Sequence, residues 1–197
     1  FFNCSAGNGG AIRQDGGNLL IRNSTFALNN ATFQGGAILI NNSGATATIV
    51  SSTFAQNNAS QTGGAVSVLT GTFVTRNSMY ADNTAPTHRE ISGNVTSQGY
   101  NLIEFSTGAV ITGTTTGNLL DVDAQLVGFG LNGDGTFSYV PPIGSPVVDA
   151  GDPSLANTTD QRRARRNTDG NLNGVAGVDI GSVERQRTAF DADAEET

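Results

Sequence analysis

Gly35-Gly36-Ala37-Ile38, followed by Thr53-Phe54-Ala55-Gln56-Asn57-Asn58-Ala59, decides how this chain folds, because both elements recur in the same order. Gly9-Gly10-Ala11-Ile12 and Gly63-Gly64-Ala65-Val66 repeat the first element, at spacings of 26 and 28 residues. Asn23-Ser24-Thr25-Phe26-Ala27-Leu28-Asn29-Asn30-Ala31 repeats the second, and Asn77-Ser78-Met79-Tyr80-Ala81-Asp82-Asn83-Thr84-Ala85 is a more divergent copy. Phe26, Phe54 and Tyr80 therefore stand 28 and 26 residues apart. Phe2-Asn3 reads as the tail of one earlier copy. Two motifs that hold register over three copies define a structural repeat, and a repeat fixes architecture before any other feature.

The repeat unit is too short for a propeller blade and has no helix of the kind that leucine-rich or ankyrin repeats need. Its apolar segments are short and β-branched: Ala37-Ile38-Leu39-Ile40, Ala47-Thr48-Ile49-Val50 and Ala65-Val66-Ser67-Val68, each read as a strand. Two or three such strands with turns fill one coil of a parallel β-solenoid, whose coils lie about 4.8 Å apart. Phe26, Phe54 and Tyr80 are then expected in one interior stack. Asn29 with Asn57, and Asn30 with Asn58, are expected to ladder from coil to coil, as stacked amides do in cross-β arrays. The glycine pairs are expected to supply positive φ at corners. A β-sandwich is the competing architecture, and it leaves the register of the two motifs unexplained.

Composition agrees with this reading. The 197 residues include 26 Gly, 23 Thr, 20 Asn and 15 Ser, which argues against long helices, while 37% apolar residues supply a core. The net charge of −7 argues against a nucleic-acid partner, and no run of about 20 apolar residues offers a transmembrane segment. The paired Gly-Gly-Ala-Ile and Phe-x-x-Asn elements (Gly35 to Ile38 and Phe54 to Asn57) resemble the polymorphic outer-membrane protein repeat over roughly residues 1–90. That resemblance implies a right-handed parallel β-helix of the pectate-lyase-like fold on a secreted or surface protein.

Beyond residue 93 the repeat is lost, with Ser97 to Ile103 reading as one last strand. Three later stretches stand in a characteristic order: Ser145-Pro146-Val147-Val148-Asp149-Ala150-Gly151, Asp160-Gln161-Arg162, and Asp179-Ile180-Gly181-Ser182-Val183-Glu184. They resemble the choice-of-anchor Q domain, which implies a prokaryotic exported, extracellular or cell-surface protein and no particular reaction. The expected organisation is thus all-β. Coils span residues 1–93, a last coil and an irregular C-terminal cap span 94–184, and an acidic tail or linker spans 185–197. A cap is needed because a solenoid's last coil exposes unpaired strand edges.

Candidate sites are few. Asp169, Asn171 and Asn173 followed by Gly174 open like a calcium loop, with Asp179 standing in for the missing bidentate Glu at the twelfth position, Ile180. Ca²⁺ is therefore the one cofactor the sequence suggests, set against simple Asx turns. Asp149, Asp160, Arg162 and Glu184 are read as structural cap residues, Arg162 pairing with a carboxylate. Arg163 and Arg166 are expected to face solvent, open to an anionic partner. His88 is expected in a solvated loop, and Asn132-Gly133-Asp134-Gly135 as a hairpin turn. No catalytic set is proposed. The repeats hold only Asp15 and Asp82, with Glu90 and Glu104 beyond, and none recurs at the coil period to build the paired acids of a glycosidase. The functional expectation is a non-enzymatic solenoid serving adhesion or a surface or filament structure, with glycans or other surface proteins as partners. A carbohydrate-active (polysaccharide lyase- or hydrolase-like) or glycan-binding fragment of a larger extracellular protein is the alternative. An ice-binding face is disfavoured, because Thr46, Thr48, Thr53 and Thr72 do not read as regular Thr rows.

Overall fold

The structure, a computed structural model, describes residues 1–132 and 135–187. The Gly133-Asp134 centre of the expected hairpin turn and the acidic stretch from residue 188 lie outside the described residues. The fold is an all-β parallel solenoid of about four turns. A short lap containing β1 (Ser5–Ala6) precedes the first coil, which holds β2 (Ile12–Gln14), β3 (Asn18–Arg22), β4 (Thr25–Ala27) and β5 (Asn30–Ala31). The second coil holds β6 (Ile38–Val50), β7 (Thr53–Ala55) and β8 (Asn58–Ala59). The third holds β9 (Val66–Arg76) and β10 (Met79–Ala81), and the fourth β11 (Ile91–Gln98) and β12 (Leu102–Ile103). A last partial lap carries β13 (Ala109–Thr114) and β14 (Leu119–Leu120). An antiparallel hairpin follows, β15 (Gly130–Asn132) with β16 (Thr136–Ser138), flanking the expected turn.

Equivalent residues pair directly. Thr25, Phe26 and Ala27 lie against Thr53, Phe54 and Ala55, which lie against Met79, Tyr80 and Ala81. The interior rings stack as expected, Phe26 on Phe54 at 4.7 Å and Phe54 on Tyr80 at 5.1 Å between centroids. Phe1, rather than Phe2, extends the stack on the other side, 4.7 Å from Phe26, and Phe2 bridges Ala27. Each such ring pair contributes about 0.5–1.5 kcal/mol beyond its buried area.

The alternation of 26 and 28 has a local cause. Ile12 pairs with Ile38 at a 26-residue offset and Asn18 with Thr46 at 28. The second coil therefore carries two extra residues in its bend between Ile40 and Thr46. The two strands expected at 37–40 and 47–50 are accordingly one bent strand, β6, whose pairing slips at Asn41. After the third coil the laps shrink. Met79 pairs with Leu102 23 residues later, and Leu102 with Leu119 after 17. The solenoid thus continues past residue 93 with shorter laps. Ser97 to Ile103 is split by a corner between β11 and β12.

The two glycines of each pair do different work. Gly9, Gly35 and Gly63 have φ of 60°, 66° and 67°, the left-handed region that glycine enters at little cost. Gly10, Gly36 and Gly64 instead sit where coils touch backbone to backbone. A Cβ there would overlap Gly36 O, Gly64 O and Arg89 O respectively.

The C-terminal segment is irregular, as expected, and runs along the flank of the solenoid. It covers the outer face of the sheet ordered β4–β7–β10–β12–β14. Ala27 and Ala55 are buried beneath Tyr139, while Met79 and Leu102 pack with Ala124, Val147 and Ile180. Small outward residues in β4 and β7 let this strap approach closely, and all three residues of each strand are buried.

Gly36→Ala is expected to lower stability by about 3 kcal/mol or more, the upper range for a single substitution. Gly144→Ala, where a Cβ meets nothing within 4 Å, is expected to be neutral. Urea unfolding of the two variants checks this.

Candidate functional site

The densest set of ionisable side chains lies where the flanking strap closes on the coils. Its backbone is drawn in by residues of the solenoid. Gly181 N donates to Asn77 O, Ser182 N to Thr53 Oγ1, and Asn77 Nδ2 to Asp179 O. Thr25 Oγ1 donates to Gln161 Oε1 at 2.6 Å, and Arg76 forms an ion pair with Asp152. Residues 179–184 are thereby held against three successive coils.

Asp160 is buried and acts as a turn staple. Its Oδ1 accepts from Arg162 N and Ala164 N, and its Oδ2 from Glu184 N. Arg162 Nε lies 3.2 Å from Asp160 Oδ2, and its Nη2 donates to Glu184 O. The carboxylate that Arg162 was expected to pair with is that of Asp160.

Arg166 does not face solvent; this expectation is corrected. Its side chain is 0% exposed, with Nη1 3.7 Å from Glu184 Oε2 and Nη2 donating to Asn23 Oδ1 and Gly181 O. A guanidinium stays charged even here, and the carboxyls of Glu184, Asp160 and Asp179 lie close enough to offset it. Arg163 and Arg165 are exposed. Nothing in the sequence separates Arg166 from its neighbours, since the solvent pattern of an irregular segment has no period to read.

Asp149, Asp179 and Glu184 bring carboxylate oxygens within 4.8 Å of one another, the one metal-like grouping among the described residues. Backbone amides serve all three. Asp149 accepts from Gly170 N and Asn171 N, and Asp179 from Asp149 N and Arg185 N. Glu184 accepts from Asn167 N, Thr168 N and Asp179 N. Burial pushes both the Asp179 and the Glu184 carboxyl above the ordinary range, and crowding by a second carboxyl adds to it. Arg185 and Gln186, expected in the tail, belong to this knot instead, Arg185 Nε donating to Gly170 O and Gln186 Nε2 to Arg165 O.

The residues read as a calcium loop are split. Asp169 accepts from Asn173 N and Gly174 N, Asn171 Oδ1 from Asn173 N, and Asn173 Oδ1 from Val175 N. These are Asx-type turns, in which short polar side chains bond their own backbone. Asp179 lies in the buried acid group, of which Asp169 is not a member. Among the described residues, Asp149, Asp179 and Glu184 are the group whose carboxylate oxygens lie close enough together to share a cation. Beside them a cleft of about 360 Å³ is lined by residues including Tyr100, Asp149, Asn167 and Gly177.

His88 is half-buried, not a freely solvated loop residue. Its Nδ1 lies 3.1 Å from Thr62 Oγ1 and 3.0 Å from Ser92 Oγ, and Gly108 leaves room for its ring. Sequence reading also passed over Glu90, which is wholly buried within the coils.

Removing one partner of a buried ion pair typically costs about 3–5 kcal/mol. Arg166→Met is expected to fall in that range and Arg163→Ala to be indistinguishable from wild type, as measured by chemical denaturation.

Comparison with protein-family models, curated proteins and solved structures returns no match for this chain. The classification it carries is that of its fold, a parallel β-solenoid of about four turns.

Proposed function

We propose that this chain is a non-enzymatic β-solenoid module of a secreted or cell-surface protein, serving adhesion or a structural surface role. The carrying observation is where its charge goes. Asp149, Asp152, Asp160, Arg162, Arg166, Asp179 and Glu184 all bond backbone or one another to fasten the strap onto the coils. Carboxylates held in this way by backbone amides are accounted for by a structural role. The motif resemblance to polymorphic outer-membrane protein repeats and to the choice-of-anchor Q domain supports an exported, surface-located setting. Glycans or other surface proteins are the partners this reading favours.

A second reading, a glycan-binding or carbohydrate-active module, draws on the cleft beside the acid group. Tyr100 offers an aromatic ring and Asp149 and Asn167 offer polar atoms there, the mixture that sugar sites use. A panel of soluble polysaccharides separates the two. The structural reading expects no new reducing ends and no unsaturated products after long incubation. Turnover that is lost in Tyr100→Ala would establish the second reading instead.

Calcium is tested separately. The loop oxygens of Asp169, Asn171 and Asn173 already accept backbone N–H groups. The thermal midpoint is accordingly expected to be the same in excess CaCl2 and in EDTA. A midpoint that rises with calcium in wild type but not in Asp149→Asn would assign the ion to Asp149, Asp179 and Glu184.

A further inference from the structure

Glu90 occupies a position that the other coils give to alanine. Ala11 N donates to Ala37 O, Ala37 N to Ala65 O, and Ala65 N to Glu90 O, so the four residues form one column. Its side chain is wholly buried, Oε2 accepts from Asn83 Nδ2 at 2.5 Å, and Oε1 has no partner.

The column meets an interior amide ladder at this point. Asn29 Nδ2 donates to Asn57 Oδ1 and Asn57 Nδ2 to Asn83 Oδ1, both at 2.8 Å. Each rung also donates back to a carbonyl of the coil before it, Asn29 to Phe1 O, Asn57 to Phe26 O and Asn83 to Phe54 O, so one N–H per rung faces the next coil, which for Asn83 is the fourth. That coil has no asparagine to offer: Ser106 stands three residues after Ile103, as Asn83 stands three after Tyr80. Glu90 Oε2 ends the ladder in its place, sharing Asn83 Nδ2 with Ala81 O. The opposite corner is built differently. Ser24 N bonds Ser52 Oγ, Ser52 N bonds Ser78 Oγ, Ser78 N bonds Asn101 Oδ1, and Asn101 N bonds Asn118 Oδ1. That ladder runs unbroken to the last lap.

We propose that Glu90 makes the joint between the third and fourth coils a proton-dependent hinge. With its carboxyl neutral the corner around residues 81–91 is closed, and with the proton lost that corner loosens while the Ser/Asn corner stays shut. The surroundings set this sense. The charged groups facing it are Asp82 from the third coil and Glu104 from the fourth, both of its own sign, with Asp123 beside that pair. The guanidinium of Arg89 lies over the Phe105 ring, 4.5 Å from its centroid, and His88 is occupied by Thr62 and Ser92. Burial pushes the Glu90 carboxyl up to about 8, from an ordinary value of 4.5 in an open, solvated chain. Between those values the closed form holds one proton more than the open form. Closure is therefore firmest on the acid side, weakens as pH rises through the window, and has lost its full contribution above about pH 8.

Hydrogen exchange on the full chain tests the hinge, comparing wild type with Glu90→Gln at each pH so that intrinsic exchange chemistry cancels. Between pH 6 and 8, wild-type protection over residues 81–91 and 104–108 is expected to fall relative to the variant by up to about tenfold per pH unit. Residues 23–27, 51–53 and 99–102 are expected to keep equal protection. Glu90→Ala restores the residue of the other coils and provides a second non-titrating reference if the glutamine variant folds poorly. Protection that falls equally in wild type and in either folded variant would overturn the proposal, as would a wild-type loss spread evenly over every coil.

Discussion

The contact on which the structure depends is backbone against backbone at the glycine corner. Gly10, Gly36 and Gly64 let successive coils close to the spacing of hydrogen-bonded strands, and even a methyl group at these positions would overlap a carbonyl of the coil below. Once the coils are that close, each residue type acquires a column. Rings stack on rings, alanines on alanines, and amides bond the amides of the next coil and the carbonyls of the one before. The interior is thus specified by repetition along an axis and not by contacts between distant parts of the sequence.

That is why the front half was legible in the sequence and the rest was not. Gly35-Gly36-Ala37-Ile38 and Phe54-Ala55-Gln56-Asn57 print the period directly, so the coil, the ring stack and the amide ladder followed from spacing alone. The period was hidden later because the laps shorten while pairing persists. Ile91 still lies against Val66 and Val95 still fills the core, but no constant offset links them to a motif. Glu90 was hidden for the same reason: His88 follows Tyr80 by eight residues where Gly63 follows Phe54 by nine. Aligned by pairing, it falls in the alanine column, where a carboxyl stands out at once.

The strap was less legible still. The sequence picked out Asp149, Asp160, Arg162 and Glu184 from motif resemblance, and the structure brings these side chains to one place. It gave no sign that Arg166 is the buried cation or that Asn23, Asn77, Thr25 and Thr53 receive the strap. Those coil residues were read only as members of the repeat, yet their outward side chains also serve as the docking row. Two columns of small polar groups therefore meet two requirements, regular stacking within the solenoid and irregular hydrogen bonding outside it.

The shortening of the laps also shapes the far end of the solenoid. The offset between paired residues falls from 28 to 23 to 17, and the interior side chain passes from phenylalanine through tyrosine to isoleucine. The ribbon narrows toward this end, yet Val110 and Leu120 of the last lap stay open to solvent. A taper shrinks the oily tip without abolishing it.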